Sequence, residues 1–231
     1  MPVEKVFFTN SEGMSLAAWL HVPDGTGPFP AVVRVHGYKS SKDGRTSTAF
    51  AACFPDMVFL RFDFHCHGES ECRDGVDAAR CVDDLKSAVA YVRSLRIVDQ
   101  TKIAVIGSSL GGLAVTLAAA GSDSIAAAVA ICPVSTFEPF RVRDIKYQKL
   151  LGIDVYHEAE KISVPFLIIH GDKDTIVPVT QSIELGKHLK AGKLHVARGA
   201  DHSFSQETHH AELLKTAAEF IKGVFAHGTH S

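Results

Sequence analysis

The sequence predicts an α/β protein with a mostly parallel central sheet and helices on both faces. From residue 57 onward, β-prone segments alternate with helical ones. Several of those strands are continuous apolar runs, the pattern of strands buried on both faces of a sheet. His36, Asp63, Ser109, Asp174 and His202 each follow a predicted strand. Open parallel sheets bind their ligands outside that end of the strands.

The elements read as follows. Residues 3–9 and 15–22 are strands joined by the turn Asn10-Ser11-Glu12-Gly13, and 24–28 is a Gly/Pro loop. Residues 30–35 are apolar apart from Arg34 and end in His36-Gly37. A helix is predicted over 41–54 and a strand over 57–62, ending in Asp63. Val82, Leu85, Val89, Val92 and Leu95 give 76–95 a helical spacing. Residues 102–106 form a strand and 110–120, rich in Leu, Ala and Val, a helix. A small-residue strand over 124–132 is stopped by Pro133. The rest reads as a strand at 164–170, a helix at 179–189, a strand at 193–197 and a closing helix at 208–225. With no repeat, low-complexity stretch or linker, one domain is expected over 1–231.

Composition narrows the function. Apolar residues make up 46% and charged residues 22%, as in a soluble globular protein with a full core. A formal net charge of −2 without blocks of like charge speaks against a nucleic-acid partner. The N-terminus has no basic segment followed by an apolar run, so no signal peptide is expected. No apolar stretch is long enough for a membrane span. The five cysteines are Cys53, Cys66, Cys72, Cys81 and Cys132. Their odd count and the lack of a C-x-x-C favour free thiols in a reducing cytoplasm. A homodimer is left open.

Gly107-Ser108-Ser109-Leu110-Gly111 reads G-x-S-x-G between a strand and a helix. Such a turn holds the serine away from the flanking backbone, with its hydroxyl exposed at the strand's C-terminal end. The alternative, an ordinary Gly-rich turn, does not account for the partners downstream.

Five motifs in order carry a resemblance. They are His36-Gly37-Tyr38, the run Asp63 to Ser70, Gly107-x-Ser109-x-Gly111-Gly112, His170-Gly171-Asp172-Lys173-Asp174, and Gly199-Ala200-Asp201-His202-Ser203-Phe204. Over nearly its whole length the chain resembles the α/β-hydrolase superfamily. Within it, the chain is most similar to small bacterial serine esterases of the cinnamoyl (feruloyl) esterase and monoacylglycerol-lipase-like kind. The resemblance implies an α/β-hydrolase fold and a nucleophile–acid–histidine order. The chain departs from the pattern at His65-Cys66, where members often have Arg-Gly, and at Asp201, where they often have Gly.

On this reading Ser109 is the nucleophile, and it needs a base within hydrogen-bond reach. Of the histidines after Asp174, only His202 sits in a loop just past a strand. Asp174 is the expected acid, with Asp172 as the rival. The oxyanion hole takes one backbone N–H from Leu110, at the start of a helix. By resemblance the other comes from Tyr38. No metal or organic cofactor is required. His65, Cys66, His67 and Cys72 are zinc-type ligands, but their spacing fits no common zinc pattern.

Residues 135–162 bridge two strands as a short lid. Phe137, Phe140, Tyr147 and Tyr156 would line an acyl pocket, with Cys132 at its edge and Arg141, Arg143, Lys146 and Lys149 nearby. An amphipathic helix with a solvated basic face is the alternative for this segment. The expected activity is hydrolysis of a small-molecule ester, of a small or aromatic acid, by a serine carboxylesterase. Thioesterase, small peptidase, cofactor-free C–C hydrolase or perhydrolase, and a silent binding protein on the same scaffold remain alternatives.

Overall fold

The computed structural model describes residues 2–136, 145–146 and 152–227. Its frame is an eight-stranded sheet. Strands β1 (Val3–Thr9) and β2 (Ser15–His21) pair antiparallel, and β2 pairs antiparallel with β4 (Val58–Phe62). Parallel pairing then runs through β3 (Phe29–Val35), β6 (Val98–Ser108), β7 (Ala127–Ile131), β9 (Phe166–Gly171) and β10 (Gly192–Ala197). The strand order is β1-β2-β4-β3-β6-β7-β9-β10. A separate two-stranded ladder joins β5 (Val76–Asp77) to β8 (Ile145–Lys146), a pairing the sequence did not signal.

Side-chain alternation explains the continuous apolar runs. On β3, Ala31, Val33 and Val35 enter one buried cluster while Val32 enters the other. On β4, Val58, Leu60 and Phe62 face one cluster and Phe59 the other. Helices α2 (Ala78–Ser94), α3 (Leu110–Ala119), α4 (Val155–Ala159) and α5 (Val179–Lys187) contribute to the first cluster. Helices α1 (Arg45–Cys53) and α6 (Glu207–His227) cover the second. A fully buried Leu or Phe in these layers stabilises the fold by about 1.5–3 kcal/mol. Among the described residues, no helix is long and apolar enough to cross a membrane.

Two sequence expectations are corrected. Helix α1 starts at Arg45 rather than residue 41, because the segment before it forms turns closed by Ser40 N–H to Gly37 O and Gly44 N–H to Ser41 O. Cys66 and Cys72 are not free thiols but form a disulfide. A count of five and the missing C-x-x-C could not reveal this pairing, because a tight loop over 66–72 brings the two residues together. Cys53, Cys81 and Cys132 are free.

Candidate active site

Strand β6 and helix α3 meet at Ser109, which has φ 54° and ψ −113°. A non-glycine residue in this region costs about 1–3 kcal/mol and persists only where its surroundings hold it. Here the Ser109 N–H donates to Ile131 O (2.8 Å) and Ser109 O accepts from Leu113 N–H (3.0 Å). The flanking glycines are required by close approach. A Cβ on Gly107 would lie 2.0 Å from Gly111 O, and one on Gly111 would lie 2.5 Å from His36 O. The G-x-S-x-G spacing is thus what lets strand, helix and the loop after β3 converge on one serine.

His202 follows β10 in a loop. Its Nδ1 donates to Asp174 Oδ2 at 2.6 Å, which leaves Nε2 as the lone-pair nitrogen. Asp174 follows β9 with a fully buried side chain. Its Oδ1 accepts the Ile176 and Val177 N–H groups, both at 2.8 Å, and His170 Nε2 lies 3.1 Å from Oδ2. Burial alone would raise the Asp174 carboxyl. Hydrogen bonds from His170, His202 and the Val177 N–H outweigh that and hold it well below the usual carboxylate range.

Asp172 does something else. Its Oδ1 accepts the Gly199 N–H at 2.6 Å and so pins the loop that carries His202. Asp201, where a glycine is more usual, accepts from the Ser205 N–H (2.9 Å) and hydroxyl, and these bonds lower its pKa.

Ser109, His202, Gly37 and Tyr38 line one cavity of about 180 Å³. No hydrogen bond joins Ser109 Oγ to His202 Nε2. Leu110 opens α3 directly beside Ser109. The loop bearing Tyr38 is held by two buried histidines. His36 Nδ1 donates to Gly37 O (2.7 Å) while its Nε2 accepts the Phe64 N–H (3.2 Å). His67 Nδ1 donates to His65 O (3.0 Å) while its Nε2 accepts the Lys39 N–H (3.3 Å). Burial pulls the His36 pKa down to about 3 and also lowers that of His67, so both rings are neutral at neutral pH.

Asp63 and His65, both prominent in the sequence, lie outside this arrangement. Buried Asp63 accepts from Lys42 N (2.6 Å) and Lys42 Nζ (2.8 Å). His65 Nδ1 bonds Asp84 Oδ2 at 2.6 Å, and Asp84 Oδ1 accepts from Asn10 Nδ2 at 2.8 Å. His65 therefore ties the loop after β4 to α2 and the first hairpin, and does not form the floor of the cavity. Cys132, expected at the pocket edge, is buried and does not line the cavity. Its thiol lies by Asp174 and His170 instead, and burial pushes its pKa well up. Phe137, Phe140 and Tyr147, with Arg141, Arg143 and Lys149, lie outside the described residues. Tyr156, on α4, receives a hydrogen bond from Ser135 Oγ at 3.2 Å.

Arg34 is a residue of this cavity to which the sequence motifs assign no role. It lines the cavity from β3 while buried, with Nη2 donating to Ser108 Oγ at 2.7 Å. The signal was present: it is the single charged residue in the apolar run 30–35.

Comparison with known proteins gives the family. The chain matches the family model of the prolyl oligopeptidase family over residues 74–228, and that of the FrsA-like esterases over residues 1–140. The chain belongs to these α/β-hydrolase families. The chain is 33% identical over 150 residues to the quorum-quenching protein AidA of Acinetobacter baumannii, covering 62% of this chain and 49% of that one. It is 30% identical over 141 residues to a thiohydrolase of Eupenicillium brefeldianum, covering 60% of this chain and 45% of that one. The chain thus spans about half the length of these two relatives. Among solved structures, Est1E of Butyrivibrio proteoclasticus with bound ferulic acid superposes with a TM-score of 0.83 at 25% identity. The match covers 96% of this chain and 99% of that one.

Proposed function

We propose that this hydrolase is a serine carboxylesterase that cleaves esters of small or aromatic acids through an acyl-enzyme. The observation that carries the reading is the 2.6 Å bond from His202 Nδ1 to Asp174 Oδ2, with His202 on the cavity that also holds strained Ser109. In the proposed reaction, His202 Nε2 takes the Ser109 proton as Oγ attacks the ester carbonyl. The backbone N–H groups of Leu110 and Tyr38 receive the oxyanion, each worth about 3 kcal/mol at the transition state. The imidazolium, stabilised by Asp174, then protonates the leaving alcohol. Water repeats the sequence on the acyl-enzyme, releases the acid and restores Ser109.

The aromatic-acid part of the reading leans on the likeness to Est1E, whose structure holds ferulic acid. The relative named as a thiohydrolase puts thioesters on the same substrate panel. A cytoplasmic setting is supported by free Cys53, Cys81 and Cys132, and the Cys66–Cys72 bond counts against it.

The test is a fluorophosphonate probe with the adduct located by mass spectrometry, and Ser109→Ala as control. Labelling at Ser109 alone is expected. A folded protein that takes no label would favour the silent binding-protein reading.

A further inference from the structure

Arg34 is a charged side chain with no counter-charge among the described residues. It is 2% exposed, yet no carboxylate among them lies within ion-pair distance of it. Its guanidinium lies over the Phe50 ring, 5.5 Å from the centroid. Nη1 donates to the Val35 and Ile106 carbonyls and Nη2 to Ser108 Oγ, while Nε has no hydrogen-bond partner. A buried charge left in this state is costly, and it is ordinarily paired. Burial brings its pKa down to about 9, which still leaves it charged at neutral pH.

The surroundings have the same polarity. The N-terminus of α1 (nine residues) opens on this cavity through Gly44, Arg45, Thr46 and Ser47. No side chain caps it, and its first turn holds no acidic residue. An uncapped helix start carries partial positive charge and favours an anion. No Asp or Glu is among the described residues lining the cavity. Arg45, the other cation there, is already paired with Glu207 at 2.7 Å.

We propose that the cavity beside Ser109 is an anion subsite in which Arg34 and the start of α1 bind a carboxylate on the acyl group of the substrate. This deepens the serine-esterase reading and rests on it: the preferred esters are short half-esters of dicarboxylic acids. Arg34 positions the substrate by its carboxylate and takes no part in proton transfer. The small cavity admits a short chain, and the Ser108 hydroxyl that Arg34 holds is the residue next to the nucleophile.

The test has a binding arm and a kinetic arm, so the two readings can fail separately. Wild-type protein is titrated calorimetrically with sodium glutarate, glutaramide and inorganic phosphate at matched ionic strength. Glutarate is expected to bind at least about tenfold more tightly than glutaramide, as a charge-assisted pair requires. Arg34→Met should lose that difference and Arg34→Lys should keep part of it. Because either variant could fail to fold, glutarate is also tested on wild type for protection of Ser109 against the fluorophosphonate, with glutaramide as control. In the kinetic arm, 4-nitrophenyl hemiglutarate should exceed 4-nitrophenyl butyrate in kcat/KM by about tenfold or more. Equal binding of glutarate and glutaramide, no binding of either, or binding of phosphate alone would overturn the subsite. Glutarate binding in a protein whose Ser109 takes no label would overturn the esterase reading and leave the subsite standing.

Discussion

His202 Nδ1 lies 2.6 Å from Asp174 Oδ2, whereas Asp172, two residues earlier, binds the backbone of the same loop through the Gly199 N–H at 2.6 Å. One carboxylate orients the ring and the other anchors the loop that carries it. Asp174→Asn is therefore expected to lower kcat by about 10³–10⁴-fold through the wrong ring tautomer. Asp172→Asn keeps an acceptor oxygen for Gly199 and should cost less than about tenfold. Steady-state kinetics on 4-nitrophenyl butyrate separate the two, and the reverse ranking would exchange their roles.

Gly107→Ala should damage the fold before it touches chemistry. Its methyl would meet Gly111 O at 2.0 Å, and backbone on the α3 side cannot yield as a flexible side chain can. A loss of about 3 kcal/mol or more in unfolding free energy is expected. Urea titration would show it, and a midpoint within error of wild type would contradict the convergence described at Ser109.

Acid sensitivity should trace to His36. The folded state holds its pKa at about 3, against 6.5 in the unfolded chain. Below pH 6.5 the unfolded chain takes up a proton that the native state refuses. Stability is complete above that pH and falls as pH drops toward 3, by about 1.4 kcal/mol per unit from this group. Unfolding free energies measured from pH 7 to 4.5 should show this slope. His36→Asn should lower the whole curve and flatten it. An unchanged slope in that variant would assign the effect elsewhere.

Thiol titration of the unfolded, unreduced protein should find three reactive cysteines, from Cys53, Cys81 and Cys132. Five would mean that Cys66 and Cys72 are unbridged. Cys72→Ser should cost about 2 kcal/mol of stability, the loop-closure value for so short a ring.

The sheet was legible because its signals are local. Continuous apolar runs such as 166–169 and the glycines around Ser109 report burial and turn geometry within a few residues. Ser109, Asp174 and His202 stood out as candidates because each follows a predicted strand, and their assignment in that order is what the resemblance implies. What escaped depends on distant pairing. Residue 98 joined β6 because Phe29 pairs with it across the sheet. The 66–72 bridge needs a loop shape that no cysteine count encodes. The roles of Asp63 with Lys42 and of His65 with Asp84 belong to contacts 21 and 19 residues apart. Arg34 was visible as an anomaly, but only the third dimension set it beside Ser109.

The strand order has a consequence for the newborn chain. Ser109 is fixed by β6, β3 and β7, all near the middle of the sheet, whereas Asp174 and His202 follow its last two strands, β9 and β10. On the proposed mechanism, a chain emerging from the ribosome would present its serine about 90 residues before its histidine. Throughout that interval the hydroxyl would have no base to activate it. Reactivity would then be acquired late among the steps that build this sheet, switched on when β10 zips onto β9 at its edge.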